Sequence, residues 1–225
     1  MKKITIKKCY KSFRLFDFHV FDEKVEKNFQ FHIQMFGINE KGETVSIIIN
    51  DYKPFFYLKV NDDWSDADTT VLKQDVHKSC FNAIQSIKLV DSKTLYGFDN
   101  NKKHKFLQLI FDNTVSFNRV KRHVTDYVYK GVKLELYESV IPPLLRYFHI
   151  NSISPSGWVK IDVKFSRKTE ESTTCDYNFV CGFQQIIPQN DKESMVPYKI
   201  CSFDIEASSS HGDFPVPVKS FKKLS

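Results

Sequence analysis

Glycine is scarce, with 7 in 225 residues, and no G-x-x-x-x-G-K-[ST] string occurs. The chain therefore has no P-loop to cradle nucleotide phosphates. Cysteine is equally uninformative as a scaffold: Cys9, Cys80, Cys175, Cys181 and Cys201 are odd in number, scattered and without a C-x-x-C pair. Neither a zinc site nor a disulfide framework is suggested, which fits a reducing intracellular compartment. No apolar run approaches the ~20 residues of a membrane span. Met1-Lys-Lys leads into Ile4-Thr-Ile-Lys-Lys and not into the apolar core of a signal peptide. Repeats and low-complexity tracts are missing. Ser208, His211 and Asp213 fall in one loop without a nucleophile elbow, which excludes a Ser/His/Asp triad reading.

What is abundant is phenylalanine, at 21 residues, and lysine. A hydrophobic content of 41% supports a buried core in a chain long enough for one large domain or two small ones. The net charge of +6 favours an anionic partner, against the alternative of a mildly basic soluble protein. The only arginines are Arg14, Arg119, Arg122, Arg146 and Arg167, so most positive charge is lysine. Such point charges would hold phosphates in a sequence-independent, salt-sensitive way.

Residues 1–53 read as strands. Phe16, Phe18 and Val20 alternate with Asp17 and His19; Phe29, Phe31, Ile33 and Met35 alternate with Gln30, His32 and Gln34. Period two places one face in the core and one in water. His19 and His32 sit on the polar faces, as solvated histidines or metal ligands. Glu40 to Glu43 is a hairpin turn and Val45 to Ile49 its return strand. Successive hairpins suggest a curled, OB-like sheet.

Residues 54–138 order themselves as β-α-β-β-α-β, the ferredoxin-like pattern shared with RNA-recognition modules. The elements are Pro54 to Val60, a helix capped by Asp66 or Asp68 and running to about Ala83, Ser86 to Val90, Phe106 to Phe111, a helix capped by Asn113 or Thr114 and ended by Gly131, and Val132 to Leu136. Phe55, Tyr57 and Phe106 are sheet aromatics that either stack bases or meet a neighbouring domain. Arg119, Lys121 and Arg122 lie off the apolar face of the second helix, and Lys102 and Lys103 precede the third strand. They are candidate phosphate contacts, with a solvated charged face as the alternative.

Residues 139–197 read as a connector. Ser139 caps a helix with Pro142 and Pro143 in its first turn, and Leu144, Leu145, Tyr147, Phe148 and Ile150 pack on the preceding module. Arg146 is either a satisfied interface arginine or a backbone contact to a template strand. Trp158 to Phe165 and Tyr177 to Phe183 are strands.

The remaining stretch, 198–225, carries the chemistry. Tyr198-Lys-Ile-Cys-Ser-Phe-Asp204-Ile-Glu206 reads as a short buried strand. Residues two apart on a strand share a face, so Asp204 and Glu206 project together. Paired carboxylates suit Mg²⁺, which is commonly held by one or two of them plus substrate phosphate oxygens. A lone D-x-E is common by chance, and an exposed pair on an edge strand is ordinarily solubility. Here apolar residues precede the acids, and the small-residue loop Ala207 to Pro215 follows.

The string Ile200 to Glu206, then Gly212 and Phe214-Pro215, resembles the first exonuclease motif of family B DNA polymerases. Leu136 to Phe148 and Ile153 to Val159 resemble the segment that leads to the exonuclease domain in delta-like members and in those of large DNA viruses, with Val140 where Asn is common. The specific likeness covers about residues 136–225. It implies an α+β chain: an OB-like part, a ferredoxin-like module and the first strand of an RNase H-like 3′–5′ exonuclease domain. It further implies DNA as partner, two Mg²⁺ held by Asp204 and Glu206, the remaining polymerase domains and a sliding clamp as associates, and a nuclear or virus-factory location. The second and third exonuclease motifs and the palm aspartates would lie beyond Ser225, so the chain by itself is expected to be catalytically silent. The rival expectations are a stand-alone single-strand-binding module and a purely structural docking piece.

Overall fold

The computed structural model describes residues 9–26, 28–81, 83–94, 102–164, 166–168 and 173–204. Three long strands open it: β1 (Tyr10–Val25), β2 (Asn28–Ile38) and β3 (Thr44–Ile49). The β2–β3 turn is as expected, with Gly42 at φ 84° and Asn39 bonded to Glu43 through both backbone and side chain. Phe31, Ile33 and Met35 are buried as their alternation predicts, whereas Phe29, at the outer end of β2, is exposed.

Strand β1 departs from its pattern. A bulge between Leu15 and Asp17 resets the alternation, so the buried pair is Phe13 and Leu15. Phe16 and Val20 face solvent, and Phe18 is half-buried with its ring 4.8 Å from that of Phe148. Two adjacent apolar residues, Leu15 and Phe16, cannot both point inward from a regular strand. His32 is also not at the surface. It is buried, with Nδ1 2.8 Å from the Glu23 carboxylate and its ring edge-on to Phe21. His19 is exposed.

Next come β4 (Phe55–Lys59), α1 (Asp66–Ser79), β5 (Ser86–Lys93), β6 (Lys103–Ile110) and α2 (Thr114–Val124). The N-cap of α1 is Ser65, and Asp68 reciprocates three residues on as a capping box. Asn113 caps α2, and the Asp22 carboxylate of β1 accepts from the Thr114 N–H at 3.0 Å and its hydroxyl at 2.6 Å. That places a negative charge on a helix N-terminus, where the dipole favours it. Helix α2 ends at Val124, well before Gly131. Gly131 (φ 78°) and Lys130 (φ 47°) instead turn a small hairpin between β7 (Val128–Tyr129) and β8 (Val132–Lys133). The strand that completes the sheet is β9 (Leu136–Tyr137), later than expected, and the order is β5-β6-β4-β9, all antiparallel. Phe56, Leu58, Leu107 and Leu109 meet Leu72, Val76, Phe117 and Val120 in one core.

Then α3 (Pro143–Asn151) starts behind Pro142, without a side-chain cap from Ser139. Its buried Tyr147 and Phe148 enter the core of the first sheet, not that of the module. Strands β10 (Trp158–Asp162), β11 (Arg167–Lys168), β12 (Tyr177–Cys181) and β13 (Ile186–Gln189) complete the first sheet in the order β11-β12-β3-β2-β1-β10-β13. The β12–β3 pair is parallel. Sequence that reads as connector thus shares a sheet and a core with residues 10–49.

Residues 191–204 take no strand conformation, and Tyr198, Ile200 and Phe203 are exposed. The expected buried strand is absent there. An isolated extended segment leaves its N–H and C=O groups unpaired, and no described strand pairs with it. What anchors the segment is Val196, packed on Ile38 and Trp158, with Trp158 Nε1 donating to the Ser194 carbonyl at 3.0 Å. Among the described residues, no helix is long and apolar enough to cross a membrane.

Candidate functional site

Asp204 sits exposed at the end of the irregular segment, and Glu206 lies outside the described residues. Their oxygen chemistry fits a hard divalent cation. Among the described residues no group of three His, Cys, Asp or Glu side chains is placed to hold a metal. Two carboxylates alone leave most of an octahedral shell to water, substrate or other segments.

The basic candidates separate into two kinds. Arg119 and Arg122 are exposed on α2 and three residues apart, so they share a helix face. Lys121 is half-buried on the same helix, and Lys103 is exposed at the start of β6. Lys102 is committed to Asp62 at 2.7 Å, which His104 also approaches at 3.0 Å. That pair borders a cleft of about 390 Å³ lined by Lys59, Asp62, Trp64, Lys133 and Glu135. The cleft's charges are of both signs, a poor match to a polyanion.

Arg146 belongs to the interface. It is 6% exposed, its guanidinium is ion-paired with the Glu138 carboxylate, and it donates to the Glu138 carbonyl at 2.7 Å. The same group lies 4.5 Å from the ring centre of Phe55 and 5.8 Å from that of Tyr57. Phe55, Tyr57, Phe106 and Tyr137 form a chain of ring contacts on the sheet face opposite the helices. Burial and the nearby Glu138 carboxylate push the Tyr57 phenol above its usual pKa. Arg146 covers one face of Phe55 and closes that face to a stacked base, which favours the neighbouring-part alternative for Phe55 and Tyr57.

Sequence reasoning passed over Phe81. It follows α1, is 84% exposed and has φ 52°. The available signal was a bulky aromatic directly after a helix, at the position where glycine is favoured.

Residues 134–222 match the family model described as DNA polymerase family B, exonuclease domain. That span takes in Arg146, Asp204 and Glu206. The DNA polymerase of Phaeocystis pouchetii virus is 42% identical over 248 residues, covering 95% of this chain and 24% of the relative. The DNA polymerase of Pyramimonas orientalis virus is 32% identical over 94% of this chain.

This chain belongs to the family B DNA polymerases.

The delta catalytic subunit of Dictyostelium discoideum is a more distant member, 26% identical over 83% of the chain and 19% of its own length. The structure of the family B polymerase from Pyrobaculum calidifontis superposes with a TM-score of 0.60 over 84% of this chain and 21% of that one, at 14% identity. The fold of a family B polymerase segment is therefore kept where the sequence has diverged. The chain spans less than a quarter of the length of these relatives.

Proposed function

We propose that this chain is the N-terminal portion of a replicative, delta-like viral DNA polymerase, and that it scaffolds the entry to a 3′–5′ proofreading site. The observation that carries the reading is the exonuclease-domain match over residues 134–222, which spans both acids and the segment leading to them. In the complete protein Asp204 and Glu206 are the residues that would hold Mg²⁺, together with acids from later motifs. Bound cations would lower the pKa of an attacking water and stabilise the leaving oxygen of a phosphodiester. The 225 residues alone are silent in this reading.

The β-α-β-β-α-β order with sheet order β5-β6-β4-β9 supports a ferredoxin-like module. The β1–β3 meander, with its bulged β1, supports an OB-like part. Phosphate contacts fall to Arg119, Lys121, Arg122 and Lys103. Arg146, facing inward, serves as a contact between the helix α3 and the small sheet.

The test uses the complete open reading frame product. Asp204→Ala and Glu206→Ala should each abolish Mg²⁺-dependent degradation of single-stranded DNA while primer extension persists. Unchanged degradation in both variants would sink the assignment. Tight, salt-sensitive single-strand binding by a protein with neither activity would instead favour a stand-alone binding module.

A further inference from the structure

We infer that Phe81, with Arg119 and Arg122, forms a single-stranded DNA contact on the helical face of the four-stranded module. The inference rests on the reading of this chain as part of a DNA polymerase, and it adds a stacking residue to the basic helix. Phe81 is at the first position past the C-cap of α1, with its N–H bonded to the Lys78 carbonyl at 3.1 Å. Its φ of 52° is left-handed, a conformation costly for any residue with a Cβ. The ring gains nothing in return from burial, since 84% of the residue is exposed. Neither helix capping nor core packing accounts for a phenylalanine here, and backbone outliers of this kind concentrate at functional positions.

The surroundings indicate the ligand. Phe81, Arg119 and His123 line one small apolar dimple of about 90 Å³. The His123 ring continues to Tyr127, 6.1 Å away. Helix α2 carries no acidic residue between Thr114 and Val124, and the last turn of α1 adds His77 and Lys78. Lys102, Lys105, Lys130 and Lys133 of the same module are each paired with an aspartate. Arg119 and Arg122, by contrast, make no ion pair among the described residues. Planar guanidinium groups bind phosphate bidentately, and an exposed ring offers every base a stacking face. At about 90 Å³ the dimple is too small to seat a large side chain from an acidic protein, which favours a base stacked on the exposed ring.

The experiment titrates the chain into a fluorescein-labelled oligothymidylate of about 16 nucleotides, the upper end of common single-strand site sizes, and follows anisotropy at low and raised salt. Phe81→Ala and the double variant Arg119→Ala/Arg122→Ala should each weaken binding about tenfold. Phe81→Trp should retain binding, with its fluorescence quenched by the oligonucleotide. Phe81→Gly, which suits the left-handed backbone, should keep thermal stability and still lose affinity, separating binding from folding. Affinities of all variants within about twofold of the parent would overturn the inference. Phe81-dependent binding of polyglutamate without competition by the oligonucleotide would overturn it too, assigning the surface to an acidic protein. Neither result bears on the loss of degradation in Asp204→Ala, so the two readings fail separately.

Discussion

The guanidinium of Arg146, carried by α3, lies over the ring of Phe55, carried by β4, with 4.5 Å between group and ring centre. One side chain thereby joins the helix that seals the large sheet to the face of the small one. Its charge is answered by Glu138, and its Nε is buried without a partner. Removing a buried partner costs more than the pair contributes, because the remaining groups lose their compensation. Glu138 is 39% exposed and can rehydrate, so Arg146→Ala should destabilise by about 2 kcal/mol, below the roughly 3–5 kcal/mol of a fully buried pair. Arg146→Lys should recover only part, since an ammonium lacks the planar face that covers Phe55. Urea unfolding midpoints decide this; equal midpoints for parent and Arg146→Ala would refute it.

Acid sensitivity should concentrate at the start of α1. Asp68 bonds Lys130 and Ser65, the Lys130 bond having the larger effect, and its pKa falls from 3.8 to about 2. The folded value is depressed, so its stabilisation is present above the unfolded value and is lost as pH falls from about 4 towards 2. Asp68→Asn should flatten the fall in stability over that window, measured by denaturant unfolding at several pH values. An unaltered slope would mean another carboxylate governs it.

Thiol reactivity should sort the five cysteines. Cys9 and Cys201 are exposed, Cys175 is intermediate, and Cys80 and Cys181 are buried. Burial pushes the Cys181 thiol up to about 12, far from the thiolate form that reacts. Ellman's reagent should therefore modify Cys9 and Cys201 fast, Cys175 more slowly, and the buried pair only after unfolding. Rapid modification of Cys181 in the native protein would contradict its place in the core.

Trp158 should hold down the segment that leads to Asp204. Its indole N–H bonds Ser194, Lys192 lies 3.8 Å over its ring, and Val196 packs beside it. Trp158→Phe keeps the apolar ring but removes the hydrogen bond. Limited proteolysis should then cut within residues 190–204 sooner than in the parent, with the rest of the chain resistant. Cleavage at the parental rate would show that Val196 alone suffices.

Much of the small module was legible because its signals are local. Polar N-caps precede helices whose apolar residues recur at helical spacing, and Leu72, Val76, Phe117 and Val120 fall in the core as read. The hairpin at Gly42 was legible for the same reason. The large sheet was not, because Trp158–Asp162 and Tyr177–Cys181 are short and take partners from the other end of the chain. No local pattern announces that pairing. Gly131 misled by being a good helix stop in an equally good hairpin turn. The family was readable from Ile200 to Glu206, while the exposed, irregular setting of Asp204 was not, since strand propensity cannot supply a pairing neighbour.

The parallel pairing of β3 with β12 sets a schedule for synthesis. Thr44 bonds Asp176, 132 positions further along the chain. At roughly 5–20 residues per second, a ribosome needs about 7–26 s to supply the second strand after the first. The small module lies wholly within that interval and closes through nearby contacts, the kind that form quickly. The β1–β3 meander must wait with Ile33, Met35, Ile47 and Ile49 uncovered, a sticky surface in a crowded cell. Slow codons or a bound chaperone between the two strands would therefore act on this sheet and leave the module untouched.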